Sequence, residues 1–268
     1  MKRVAESLGV SRPHLHATKD KAPAVRETKP ADIALLARIE PLVAQRPSYG
    51  YRRITALLNR DPTAARVNHK RVYRVMRQAG LLLPKYAAKP VRNHDGKVIT
   101  LKSDLRWCSD AFQIRCWSGE VVHVAFSLDC CDREVIAWHA STAHINGADI
   151  RDLMARSIES RFGDTKTPRP LEWLTDNGPP YTACRTRAFA ASVGLRPRNT
   201  PAYSPESNGM AESFVRTFKR DYVYLNDVWD AQTVLTQLDS WFQDYNDNHP
   251  HKGLKMLSPR QFRRLQTQ

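Results

Sequence analysis

Three carboxylates are the residues of this chain best placed to do chemistry. Asp176 closes the run Trp173-Leu-Thr-Asp176-Asn-Gly178. Leu171, Trp173 and Leu174 read as a short apolar strand, and Asn177-Gly178 supplies turn chemistry, because both residues tolerate positive φ. A carboxylate at the C-terminal tip of a buried strand is held rigidly at a sheet edge, which suits a metal ligand. Alone, an Asp before Asn-Gly reads as readily as a plain turn. Asp110 lies midway along a second strand-like run, residues 107–114. Glu212 comes four residues before Arg216 and seven before Lys219, so the three line one face of a helix. Phe214, Val215 and Phe218 take the other side, and by itself such a ladder is an ordinary exposed ion-pair face. Clustered carboxylates repel and need a counter-charge. Hard divalent cations serve, Mg2+ being the usual one. Two such ions about 3.5–4 Å apart activate water or a 3′-hydroxyl and stabilise the leaving oxygen at a phosphodiester.

Such a cluster needs a scaffold that converges residues distant in sequence. From Asp104 the apolar pattern has period 2, giving strands over 107–114, 121–126 and 134–139 joined by turns at Ser118-Gly119 and at 129–133. That is an antiparallel meander, and Asp129 and Asp132 fall in its second turn. A helix over 148–161 buries Ile150, Leu153, Met154 and Ile158. The Trp173–Asp176 strand, a helix over 185–193, a strand near 195–199 and a helix over 210–222 follow. The order β-β-β-α-β-α-β-α is that of a ribonuclease-H-like α/β fold with a mixed sheet. In that arrangement the first and fourth strands are central neighbours and the last helix crosses their edge, so Asp110, Asp176 and Glu212 converge. A further helix over 231–245 packs Val234, Leu235, Leu238, Trp241 and Phe242 onto the core. It and the His-Pro-His run after it read as structural.

The charge is unevenly placed. Of a net +15, residues 1–92 hold 20 Lys and Arg against 6 Asp and Glu, and residues 93–268 hold 22 against 21. A basic domain joined to a near-neutral one implies a nucleic-acid clamp. Residues 1–30 form a helical lead-in and a charged, proline-containing linker. Residues 31–92 then hold three short helices, over 31–45, 52–58 and 68–79. Ile33, Leu35, Leu36, Ile39, Leu42 and Val43 recur at helical spacing in the first, and Val72, Val75 and Met76 face inward from the third. The opposite face of the third carries Lys70, Arg71, Arg74 and Arg77, and Arg52 and Arg53 open the second. This describes an all-α helix-turn-helix module whose basic face meets phosphates. Residues 84–93 form a basic connector. The catalytic unit is expected over 100–225 and a helical extension over 226–268.

Five cysteines, none spaced Cys-x-x-Cys, argue against a secreted disulfide framework and for a reducing cytosol. No apolar run is long enough to span a membrane, and the first residues lack the apolar core of a signal peptide.

The separation of Asp176 and Glu212 by 35 residues resembles the Asp-Asp-35-Glu signature of retroviral integrases and related bacterial insertion-sequence transposases. Trp-Leu-Thr-Asp-Asn-Gly, Ser-Pro-Glu-Ser-Asn-Gly-Met-Ala-Glu-Ser, Tyr245-Asn-Asp-Asn-His-Pro-His251, Tyr49-Gly-Tyr-Arg-Arg-Ile and Asn68-His-Lys-Arg-Val-Tyr-Arg-Val-Met76 match the second class. Over almost its whole length the chain is similar to the OrfB product of the insertion-sequence-three family, in its insertion-sequence-two-like branch. The resemblance implies a transposase that binds the terminal inverted repeats of its element, cleaves 3′ ends and joins them to target DNA. It implies Asp110, Asp176 and Glu212 as ligands of Mg2+, with Mn2+ able to substitute. Lys219 would contact DNA near the scissile phosphate, helped by Arg216. Pairing two ends implies a homo-oligomer on DNA, with an upstream OrfA protein as partner or frameshift fusion, in the bacterial cytoplasm at the nucleoid. Retroviral integrases carry a His-His-Cys-Cys zinc domain, but His14 and His16 have no paired cysteines nearby, so no structural zinc is expected. Two rivals remain. A structure-selective nuclease of the same fold would cut without joining, and a non-catalytic DNA-binding regulator would bind no metal at the acids.

Overall fold

The computed structural model describes Ser7 and residues 29–84, 100–199 and 209–266. Apart from Ser7, the expected lead-in and linker up to residue 28, with His14 and His16, lie outside the described residues. So do the connector from residue 85 onward and residues 200–208.

Three helices form the basic domain. α1 (Pro30–Gln45) opens on a proline, where the missing N–H has no helical partner to lose. α2 spans Tyr51–Leu58. α3 (His69–Gln78) is capped by the Asn68 side chain, which accepts the Lys70 N–H at 2.8 Å. Leu35, Ile39, Tyr49, Ile54, Leu58, Val72, Val75 and Met76 make their common core. Ile33 is 57% exposed, while its polar neighbour Asp32 is buried. α1 is turned so that residues 32, 35 and 39 face inward. The Arg71 Nε and Arg74 Nη2 of α3 reach Asp32 at 2.8 and 2.7 Å and satisfy the buried charge.

The second unit is a mixed sheet in the order β3-β2-β1-β4-β5. β1 (Arg106–Arg115), β2 (Val121–Asp129) and β3 (Val135–Ser141) are the antiparallel meander. β4 (Leu171–Thr175) runs parallel to β1, and β5 (Leu195–Asn199) parallel to β4. β2 continues three residues beyond the expected 121–126, because Ser127, Leu128 and Asp129 are all buried and stay in register with β1. α4 (Gly147–Phe162) begins in a capping box between Asn146 and Asp149 and ends at Gly163, at φ 66°. The helix expected over 185–193 is present as α6 (Cys184–Ser192), and a one-turn helix that was not expected, α5 (Pro179–Thr182), precedes it.

The sheet has apolar side chains on both faces, as its covered strands require. Trp107, Trp173, Ile150, Leu153, Ile158 and Leu195 fill one side, under α4 and α6. On the other side α7 (Gly209–Asp221) lays Phe214 and Phe218 against Phe112 and Phe126. α8 (Ala231–Asn248) covers them, with the Phe218 and Phe242 rings 4.6 Å apart. Val234, Leu238, Trp241 and Phe242 are buried as expected. A last helix, α9 (Pro259–Gln266), was not anticipated.

Candidate active site and nucleic-acid interface

Strand pleat and register bring the acids together. Side chains alternate across a strand, so Asp110 shares a face of β1 with Cys108, Phe112 and Ile114, the face that α7 covers. β1 and β4 pair Cys108 with Leu174. Continued by two residues, that register sets Asp110 level with Asp176, on the same face. Glu212 projects from the first turn of α7, the helix packed over that face. Burial, opposed by a 2.8 Å hydrogen bond from the Ala111 N–H, pushes the Asp110 carboxyl up to about 6, and the charges of Asp176 and Glu212 push it the same way. Asp176 and Glu212, from two other parts of the chain, are thus near enough for their charges to reach Asp110.

Among the described residues, no Lys or Arg pairs with Asp110, Asp176 or Glu212. Also among the described residues, no three carboxylate, imidazole or thiolate side chains stand close enough to share one ion. The donor chemistry nevertheless fits a hard divalent cation: carboxylate oxygens that repel one another, with no counter-charge paired to them among the described residues.

The surroundings hold Asp176 in place. Its Oδ1 accepts the Gly178 N–H at 3.0 Å. The Asn177-Gly178 turn does not use positive φ, contrary to expectation. Glycine matters there for another reason: a Cβ at Gly178 would stand 3.0 Å from Asp176 Oδ1, so the carboxylate would have to shift by a few tenths of an ångström. Tyr181 was missed by the sequence reading. It lies buried beneath the acids, its hydroxyl 3.1 Å from Ser109 Oγ, and burial and the charges of Asp110 and Asp176 raise it so that it stays a neutral phenol. The Pro179-Pro180 pair that starts α5 is the signal that could have pointed to it. Lys219 sits 5.7 Å from the Phe112 ring centroid, two residues along β1 from Asp110, and burial and Arg115 lower its ammonium. Arg216 is exposed on the same helix.

The basic residues of the helical domain fall into two groups. Lys70, Arg77 and Arg52 are exposed. Arg71 and Arg74 are each 40% exposed while bound to Asp32, whose carboxyl they hold below its ordinary range. Arg53 turns toward the catalytic unit, 3.3 Å from Asp221 Oδ2 and over the Tyr49 ring. It belongs to a dock between the two units. There Arg46 grips Asp244 with both nitrogens, at 2.6 and 2.5 Å, and Tyr49 Oη meets His249 Nδ1 at 2.9 Å. Burial and the nearby charges of His251 and Arg53 keep His249 neutral. The His-Pro-His run thus has a structural role.

Comparison with known proteins gives this arrangement a family. The integrase core domain matches residues 101–205, a second integrase core pattern matches 193–259, and an HTH-like domain matches 30–89. The chain is 44% identical to an Escherichia coli transposase, InsD for insertion element IS2A/D/F/H/I/K, over 97% of this chain and 90% of that one. InsD for insertion element IS2-9 of Escherichia coli strain K12 is also 44% identical, over 97% and 88%. Among solved structures, the simian T-cell lymphotropic virus intasome in complex with PP2A regulatory subunit B56 gamma aligns with 83% of this chain and 73% of that chain. Its TM-score is 0.51 at 15% identity, a likeness of fold. The chain belongs to the insertion-sequence-three family of OrfB transposases, polynucleotidyl-transferase-class enzymes that serve DNA transposition.

Proposed function

We propose that the chain cleaves the 3′ ends of its element and joins them to target DNA, using Asp110, Asp176 and Glu212 as one Mg2+ site in which Mn2+ can substitute. The observation that supports this most is the raised Asp110 carboxyl, which feels both other acids. When bound, the metal supplies Lewis-acid activation of the attacking oxygen and neutralises the leaving one. The chain's own residues do the rest. Gly178 fixes the direction of Asp176. Lys219, and Arg216 one turn before it, face the phosphates flanking the scissile bond. A P–O bond to water or to a DNA 3′-hydroxyl forms as the old P–O bond breaks, with no covalent link to the protein.

Lys70, Arg77 and Arg52 hold the terminal repeat, with Arg71 and Arg74 contributing the exposed parts of their guanidinia. Arg53 positions the helical domain against the core. Two ends need two copies, so the active species is a homo-oligomer, joined by or fused to an OrfA protein, working at the bacterial nucleoid. Among the described residues no helix is long and apolar enough to cross a membrane.

The test is a cleavage and strand-transfer assay on labelled element ends with Mg2+, run beside Glu212→Gln. The parent should cut and join while the variant binds DNA and does neither. Full activity in the variant removes the metal-site assignment. Cutting without joining on a pre-nicked end makes the protein a nuclease instead.

A further inference from the structure

A groove of about 660 Å3 lies between the helical domain and the C-terminal segment. One wall carries Arg52, Arg60, Arg66 and His69. The other carries Lys255 and Arg264, and no residue lining the groove is acidic. Ala56 and Met256 give it apolar surface. Five cations from two structural units thus face one space with no carboxylate among them, an arrangement that favours a polyanion.

Two further observations show that the groove is built. Arg60 crosses between the units, donating to the Asn248 carbonyl at 2.8 Å and to Asn248 Oδ1 at 3.3 Å, so the walls are held in register. Lys255 and Met256 stand consecutively at φ 54° and 68°, a left-handed conformation that residues with a Cβ seldom adopt. The turn is over-determined by backbone bonds, Met256 N–H to the His251 carbonyl at 2.8 Å and His251 N–H to the Leu257 carbonyl at 3.0 Å. Strain held in place at the lip of a charged groove marks a binding surface.

We propose that this groove carries the sugar-phosphate backbone of the DNA duplex bound by the helical domain, so that α3 and the C-terminal segment share the element end. This rests on the DNA-binding reading above and extends it to a second contact. Guanidinium forks match phosphate oxygens in pairs, and the apolar floor suits the sugars between them.

The test uses the full chain and a fluorescein-labelled duplex, with binding followed by anisotropy across a salt series. Arg66→Ala with Lys255→Ala removes two exposed cations, and Lys70→Ala with Arg77→Ala is the comparison on α3. Each phosphate contact contributes about 0.9 to the slope of log K against log salt, so the groove variant should flatten that slope by roughly 1.8 and weaken binding about tenfold or more near 0.1 M salt. Arg66→Gln with Lys255→Gly, which accepts positive φ without strain, should lose the same amount. A parent-like slope in both groove variants, with a flattened one in the α3 variant, overturns the groove and leaves the α3 reading standing. Parent-like slopes in all variants overturn both, as does a parent that binds no duplex.

Discussion

Two groups of acids sit on the same sheet and are treated in opposite ways. Near the start of β1, Asp104, Asp129, Asp132 and Glu134 surround Arg161 of α4, whose side chain is 1% exposed. Its Nε donates to Asp104 at 2.6 Å and its Nη1 to Glu134 at 2.5 Å, while Nη2 bonds Asp132 and lies 3.4 Å from Asp129. Asp129 also accepts backbone N–H groups from Asp104, Cys131 and Asp132, so it shapes the turn after β2. Arg260 and Arg263 add two bonds to Glu134 from outside. A few residues further along β1, Asp110, Asp176 and Glu212 have no such guanidinium among the described residues. The first group carries its counter-charge in the chain and is architecture. The second has none among the described residues, and the proposed metal site rests on that difference.

The comparison can be broken first at Arg161. Arg161→Met strands buried carboxylates and should destabilise the protein by about 3–5 kcal/mol in urea unfolding, enough to prevent folding in a marginal chain. A loss under about 1 kcal/mol would place the two groups in one class.

Asp110 gives the opposite sign. Its folded carboxyl titrates about 6, above the ordinary value of 3.8. Between those values the unfolded chain gives up this proton while the folded one keeps it, so the contribution of Asp110 to metal-free stability falls as pH rises from about 4 to about 6 and stays low above. Asp110→Asn should remove that fall and, in chelator at pH 7, be the more stable protein by on the order of 2 kcal/mol. Urea titrations at pH 4 and pH 7 check it, and a variant no more stable than the parent at pH 7 would contradict it.

Two smaller effects sharpen the contrast. Gly178→Ala should displace Asp176 through the 3.0 Å contact and cut strand transfer roughly tenfold to a hundredfold, with stability changed by less than about 1 kcal/mol. Arg260 is 38% exposed on the edge of the compensated group, so Arg260→Ala should cost under about 1 kcal/mol and leave strand transfer unchanged.

The strands and helices that carry the acids were legible because each has a clean period. β1 alternates, α7 repeats its phenylalanines at four, and β5 matches its expected span. Convergence of Asp110 with Asp176 follows from strand order, which the sequence of elements implies. What stayed hidden depends on side chains that read locally as surface. Asp32 looks like a favourable charge in the first turn of α1, and nothing nearby shows that Arg71 and Arg74, some forty residues on, will bury it. Arg161 looks like a basic last-turn residue suited to the helix dipole, yet it is the hub of four carboxylates. Gly178 was read through its freedom of φ, whereas its use is the space a missing Cβ leaves. α9 is short, its Arg260 and Arg263 are spent on Glu134, and it carries too little apolar pattern to announce itself.

The most direct measurement is Mn2+ binding followed by electron paramagnetic resonance on the parent, Asp110→Asn, Asp176→Asn, Glu212→Gln and, as control, Arg260→Ala. The parent and the control should bind the ion, while each of the three carboxylate variants should bind it at least tenfold more weakly. Equal binding across the series, or none by the parent at millimolar metal, would contradict a shared metal site formed by the three acids.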